Sequence, residues 1–184
     1  MTIFVAFDIE STGLLAPDQR IIEIYCALYS LETKELIRSF EKRIDPQRSI
    51  TAEAQRVHGI SGADLIGCPT FEAVAPALRA FIEQGAFILA HNGDGFDIPF
   101  LNMELERVGL AKLTRPSIDT MIQGRYATHN GKVPTLGELC FAMGVEYDPE
   151  KAHAASYDVQ VMTECFFRAA DWGFLDLSSY TKDS

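Results

Sequence analysis

The chain reads as a single α/β domain, a mixed central β-sheet flanked by α-helices, and three features of the sequence predict it. Three β-rich runs come first, "TIFVAFDI", "RIIEIYCALYS" and "ELIRSFEKRID", separated by short polar connections, which suggests consecutive and largely antiparallel strands. Helical periodicity then takes over, interrupted by one short apolar run, "AFILAH". Strands first and strand–helix alternation afterwards imply a mixed sheet covered by helices. No internal repeat, low-complexity tract or Pro/Gly/Ser-rich linker divides the 184 residues, 47% of them hydrophobic, so one domain with a sizeable core is expected over 1–184. Its motif-bearing core covers about 3–170, with a short C-terminal tail over 171–184.

The helices follow from spacing. Residues 49–57 suggest a short helix. From Thr70 through Gln84, Phe71, Val74, Leu78, Phe81 and Ile82 recur at helical intervals after a Pro-Thr start. A further helix runs from Gly95, with Phe96, Phe100, Leu101, Leu105 and Val108 on one stripe, to a stop at Gly109. "TLGELCFAMG" and "HAASYDVQVMTECFFRAADWG" supply two more, each ending at glycine.

Charge narrows the function classes. A net charge of −10 and a pI near 4.8 argue against broad electrostatic adhesion to nucleic acid or to an anionic membrane. Any polyanion must be met locally. Arg107, Lys112, Arg115, Arg125 and Lys132 fall in one stretch with few acids, although charged residues lie at solvated surface by default. No apolar stretch is long enough to span a bilayer, and "MTIFVAFDIE" has neither a basic start nor a small-residue cleavage site, so a cytosolic location and no membrane partner are expected. Cys26, Cys68, Cys140 and Cys165 are widely spaced without a C-x-x-C pair, which indicates buried thiols rather than a zinc site or a disulfide framework.

Three acidic constellations carry the chemistry. In "FDIESTG", Asp8 and Glu10 are two residues apart on a strand, so they project from the same face as Phe4 and Ala6. Two anions that close repel, and either a proton or a cation must relieve them. The alternative is a carboxylate that opens a turn beside a solvated one. In "AHNGDGFDIPFL" a buried strand delivers His91 and Asn92, followed by Asp94 and Asp97 at a helix start. Here Asp94 as N-cap, with Asp97 in the first turn favoured by the helix dipole, is the competing reading. Gly93 and Gly95 favour a tight loop. In "HAASYDVQVM", Asp158 shares a helix face with Met162 and Cys165, which is costly unless the charge is paired or bound to metal. His153 lies just before the regular part of that helix and could equally be a surface residue.

These three elements, in this order, resemble the exonuclease motifs of the DnaQ-like DEDDh family, which includes the proofreading subunit of bacterial replicative DNA polymerase. The likeness runs from about Phe4 to Ala169. It implies a ribonuclease H-like fold and metal-dependent 3′-to-5′ removal of nucleotides from single-stranded DNA ends, with release of nucleoside monophosphates. By this resemblance Asp8, Glu10, Asp97 and Asp158 hold two divalent ions, Mg²⁺ or Mn²⁺, and His153 is the general base. "RVHGIS" resembles the family segment that contacts the terminal nucleotide, making Glu53 and His58 substrate-binding candidates. Ser11, Thr12 and Gly13, together with Asn92 and Phe96, complete that set. RNA is the alternative substrate, as in the ribonuclease T and oligoribonuclease branches, since one or two contacts to a 2′-hydroxyl decide it. A non-catalytic nucleic-acid-binding module is the remaining alternative. A DNA polymerase partner and a proofreading role are implied less directly than the chemistry, because the chain ends soon after its last helix, and a free-standing, phage- or DNA repair-type exonuclease is the favoured expectation. The resemblance is silent on oligomeric state.

Overall fold

The computed structural model describes residues 1–180; residues 181–184, the end of the expected tail, lie outside the described residues. Five strands form one sheet in the order β3-β2-β1-β4-β5. The first three, β1 (Ile3–Ser11), β2 (Ile21–Ser30) and β3 (Leu36–Arg43), make the expected antiparallel meander. On the other side of β1, β4 (Ile88–Ala90) and β5 (Ser117–Asp119) run parallel to it. The sheet is therefore mixed.

Because β1 is central, both of its faces are buried, and the alternation of its side chains divides the core. Val5, Phe7 and Ile9 pack against α2 (Phe71–Ile82) and α3 (Asp97–Arg107). Phe4 and Ala6 face α6 (Ala155–Asp171) through Val159, Met162 and Phe166, with Phe4 stacked on Phe87 at 5.0 Å. Asp8 and Glu10 continue the second series, so strand periodicity alone carries them to the α6 side.

Helix boundaries shift where capping groups override the apolar spacing. The helix expected over 49–57 is α1 (Ala52–His58): the Thr51 side chain accepts the Ala54 N–H, and Gly59 closes the end at φ +73°. The helix expected from Gly95 starts only at Asp97, because the N–H groups of Gly95 and Phe96 are already taken by the Asn92 carbonyl. Asp94 does not cap it. Its carboxylate accepts the Ser117 hydroxyl at 2.5 Å instead, away from the cavity described below. After the short helix α4 (Thr120–Gln123), α5 (Leu136–Met143) begins with a reciprocal Thr135–Glu138 capping box. The last helix begins at Ala155, leaving His153 before it at φ +64°. The strand β5 and the helix α4 were not anticipated, since three- and four-residue elements present no period to read.

Three of the four cysteines are buried as expected, with Cys140 and Cys165 Sγ atoms 3.6 Å apart as thiols, but Cys68 is only half-buried. The C-terminal segment is not a loose tail up to residue 180. Leu175, Leu177 and Tyr180 pack under the sheet, and the Tyr180 hydroxyl donates to the Ser117 carbonyl at 3.3 Å. Among the described residues no helix is long and apolar enough to cross a membrane.

The connection from β1 to β2 is clamped by a buried acid. Glu104, 2% exposed, accepts the Ile21 N–H at 3.3 Å and pairs with Arg107 at 2.8 Å, while Arg107 also donates to the carbonyls of Gln19 and Pro17. Removing the carboxylate strands both a buried amide and a guanidinium. Glu104→Ala is expected to lower unfolding stability by about 2–3 kcal/mol in denaturant titration.

Candidate active site

The amide between Asp8 and Glu10 organises the site. Asp97, the first residue of α3 and 3% exposed, accepts the Ile9 N–H on Oδ1 at 3.2 Å, which draws α3 onto the end of β1. Asp158, in the first turn of α6, accepts the His153 N–H on Oδ2 at 3.0 Å, so the segment before α6 is folded back toward the same place. All four carboxylates and His153 line one cavity of about 980 Å³. A bulge shifts the β1–β2 register between Glu10 and Ser11, both of which line the cavity.

The expected substrate-binding residues divide. Ser11, Gly13, Glu53, His58, Asn92 and Phe96 line the cavity. Thr12 does not: it is fully buried, its hydroxyl lies between Gln19 Oε1 at 2.6 Å and the Arg20 N–H at 3.0 Å, and its own N–H and carbonyl bond to Arg20 and Thr51. These bonds brace the loop. His58 reaches the cavity with both ring nitrogens already occupied, since Nδ1 accepts the Ile60 N–H at 3.0 Å and Nε2 donates to the Ser11 carbonyl at 3.2 Å. Its ring is thereby fixed as the Nε2–H tautomer, and burial pushes it below the usual imidazole range.

Asn92, at φ +62°, turns the β4–α3 connection; Asn tolerates this left-handed geometry better than most residues. A Cβ on Gly93 would lie 2.4 Å from that of Ala90, so only glycine fits the turn. The sequence reading missed Asp119, Gln19, Met121 and Tyr147. The last three line the cavity. They come from a β1–β2 loop, a four-residue helix and the α5–α6 connection, where no motif marks them. The basic stretch does not line the site. Among its members Arg107 serves Glu104, Lys112 pairs with Glu106, Arg115 donates to the Glu83 carbonyl, Arg125 to the Gly131 carbonyl, and Lys132 pairs with Glu138.

The electrostatics are those of crowded, desolvated anions. Burial raises Glu10 to about 9, with Asp158, Glu23 and Asp97 adding repulsion. Asp97 is raised to about 8 by burial, opposed by the Ile9 N–H. Asp8 is held well above the usual carboxylate range by burial and then by Asp97, Glu10 and Asp158, and Asp158 itself is raised by burial. None of the four forms an ion pair with Lys or Arg among the described residues. Buried Asp158 Oδ1 has no hydrogen-bond partner. Among the described residues no three His, Cys, Asp or Glu side chains stand close enough to enclose a metal ion unaided. The carboxylates share a cavity, not a closed coordination shell. An orphaned carboxylate oxygen, four hard oxygen donors and repulsion without a counter-charge nevertheless fit a divalent cation.

Raised carboxylates bind protons in the folded state that the unfolded chain has already released. Their stabilising contribution is present in full below about pH 4, the unfolded range, and is lost as pH rises through about 8 for Asp97 and about 9 for Glu10. Melting temperature in EDTA should therefore fall from pH 5 to 9. Millimolar Mg²⁺ should flatten that fall, and Glu10→Gln should remove its most alkaline part. Thermal melts across this range in both buffers check the sign.

The family model for exonucleases, RNase_T, matches residues 5–166. DNA polymerase III PolC-type of Halalkalibacterium halodurans is 34% identical over 165 residues, and that of Mycoplasma pneumoniae 32% over 169. These matches cover 90% and 89% of the chain but only 11% of either relative's length. Among solved structures, the zinc-ion-bound E. coli ExoI–ssDNA complex superposes with a TM-score of 0.82 over 94% of this chain and 41% of that one, at 17% identity. Another structure of exonuclease I gives 0.78 over 93%. The fold is thus the ribonuclease H-like one of the DnaQ type, and with the exonuclease model matched along nearly its whole length and the acidic motifs gathered in one cavity, the chain belongs to the DnaQ-like DEDDh exonuclease family.

Proposed function

We propose that this chain removes nucleotides from the 3′ end of single-stranded DNA in a metal-dependent hydrolysis that releases nucleoside monophosphates. The observation that carries the reading is the convergence of Asp8, Glu10, Asp97 and Asp158 on one cavity with no Lys or Arg lining it among the described residues. Two relatives support the substrate class: E. coli ExoI is seen in complex with single-stranded DNA, and the PolC-type proteins are DNA polymerases. A polymerase as partner is the corresponding proposal for the environment in which the chain acts.

Asp8, Glu10, Asp97 and Asp158 would hold divalent ions, Mg²⁺ or Mn²⁺ by their preference for carboxylate oxygen. When bound, such ions stabilise the charge that develops on the phosphodiester and make water a stronger acid. The chain's own residues do the rest. His153 takes a proton from the attacking water, and the bond from its N–H to Asp158 keeps it beside the carboxylates. Water oxygen joins phosphorus, the bond to the 3′-oxygen breaks, that oxygen takes a proton from solvent water as it leaves, and His153 later returns its proton to solvent. Glu53, exposed at the start of α1 on the cavity wall, can accept a hydrogen bond from the terminal 3′-hydroxyl. His58 supports the same end by holding the Ser11 carbonyl.

A 5′-labelled single strand should shorten as a ladder in Mg²⁺ or Mn²⁺ and stay intact in EDTA. Circular single strands should resist and blunt duplexes should react slowly, because a paired end must first be unstacked. A matched RNA strand measures sugar preference in the same assay, and cleavage of the circle would overturn the exonuclease polarity. His153→Gln should lower kcat by roughly 10²–10⁴ with little change in KM, as expected when proton transfer in the transition state is lost. Turnover within a few-fold of the parent would remove His153 from the mechanism.

A further inference from the structure

Asp119 has no part in the chemistry above, yet it is among the most heavily bonded carboxylates in the chain. It ends β5 at 3% exposure, beside Ala90 in the parallel register. Its Oδ1 accepts backbone N–H groups of Asn92 at 3.0 Å, Met121 at 2.9 Å and Ile122 at 3.2 Å, and its Oδ2 accepts that of Asp94 at 3.1 Å. Two of these donors lie in the first turn of α4, which is ordinary N-capping. The other two are 27 and 25 residues earlier, in the connection from β4 to α3. A cap needs only the first pair.

The second pair fixes a segment that has little freedom left. With its N–H held, Asn92 presents its carbonyl to the N–H groups of Gly95 at 3.1 Å and Phe96 at 2.9 Å, and the Gly93 carbonyl takes the Ile98 N–H at 2.9 Å. One residue before Ile98 stands Asp97, whose carboxylate meets the Ile9 amide between Asp8 and Glu10. Met121, whose N–H the same Asp119 oxygen holds, lines the cavity beside them.

We propose that Asp119 is a positioning residue for the exonuclease site: its carboxylate ties the β4–α3 connection to α4 and so holds Asp97 against the end of β1. The effect on turnover rests on the exonuclease reading, whereas the tie itself rests on geometry. Bonds from four N–H groups to one buried carboxylate are charge-assisted and shared between two segments, so weakening them loosens the loop before it loosens the sheet.

The test compares the full chain with Asp119→Asn and Asp119→Ser, since Asn and Ser both serve as good N-caps and should leave α4 capped. Asn places an NH₂ group against the Asp94 N–H, and Ser is too short to reach the loop. In the parent, the amides of Asn92 and Asp94 should be as protected from hydrogen exchange as those of Met121 and Ile122. In either variant, exchange over residues 91–98 should quicken at least tenfold while β1 and β2 stay unchanged. Turnover should fall tenfold or more at nearly constant KM, and the rise in Tm caused by Mn²⁺ should shrink. A folded variant with kcat within twofold of the parent would reduce Asp119 to a cap and overturn the proposal, even if its Tm were lower. Unprotected Asn92 and Asp94 amides in the parent would overturn it without any variant, so failure of both variants to fold does not shelter it. A parent chain without nuclease activity would defeat the exonuclease reading instead, with the exchange data still deciding the tie.

Discussion

The Ile9 N–H donates to Asp97 from the point on β1 where Asp8 and Glu10 project to the opposite side, and this one bond brings a helix from the second half of the chain to the centre of the sheet. Much of the architecture serves that contact. The antiparallel pair β1–β2 runs the length of the strand, so the Ile9 amide sits on a stiff support. On the other side, β4 pairs with β1 and releases the chain one loop away from Asp97. The fourth carboxylate arrives from α6, whose Val159, Met162 and Phe166 pack on Phe4 and Ala6, the residues that precede Asp8 and Glu10 on the same face.

Bringing these groups together works against their charge. Burial raises all four, repulsion from the neighbouring site carboxylates adds to it at Asp8 and Glu10, and no lysine or arginine forms an ion pair with any of them among the described residues. The neighbouring acid Glu23, directly across from Glu10 on β2, is handled differently: Arg43, its cross-strand partner on β3, pairs with it at 2.9 Å. A guanidinium one strand further from the cavity neutralises a carboxylate that lies beside the site, while those within it are left to protons or to a cation. That unrelieved charge is what the proposed divalent ions would meet.

A polyanionic substrate, as proposed for this acidic chain, needs local compensation, and the basic stretch from Arg107 to Lys132 does not line the cavity. The bases between Arg107 and Lys132 are committed to carbonyls and to glutamates of their own neighbourhood. In the proposed function a nucleic-acid end would be met in the cavity, where apolar wall residues such as Leu14 and Val57 stand beside Glu53 and Asn92. This arrangement suits a single terminus better than a long duplex track.

From residues alone, the strand meander, the amphipathic helices and the three acidic motifs were legible, because each is a local pattern of period two or period 3.6 or a short spacing. The shared face of Asp8 and Glu10 follows from the pleat and needed no coordinates. Where helices begin was not legible at Asp94, Asp97 and His153, since the carbonyl of Asn92 and the carboxylate of Asp158 compete for the amides that spacing assigns to the helix or to no partner. Thr12 and His58 belong to motif segments, but only the tertiary structure shows that their polar atoms are consumed in bracing the strand end. Asp119 lies in a three-residue strand, and its partners are 25 and 27 residues away in sequence. Local patterns declare themselves in sequence because their partners are neighbours along the chain; hydrogen bonds between distant segments have no such signature, and folding alone decides which buried polar atoms remain free to act.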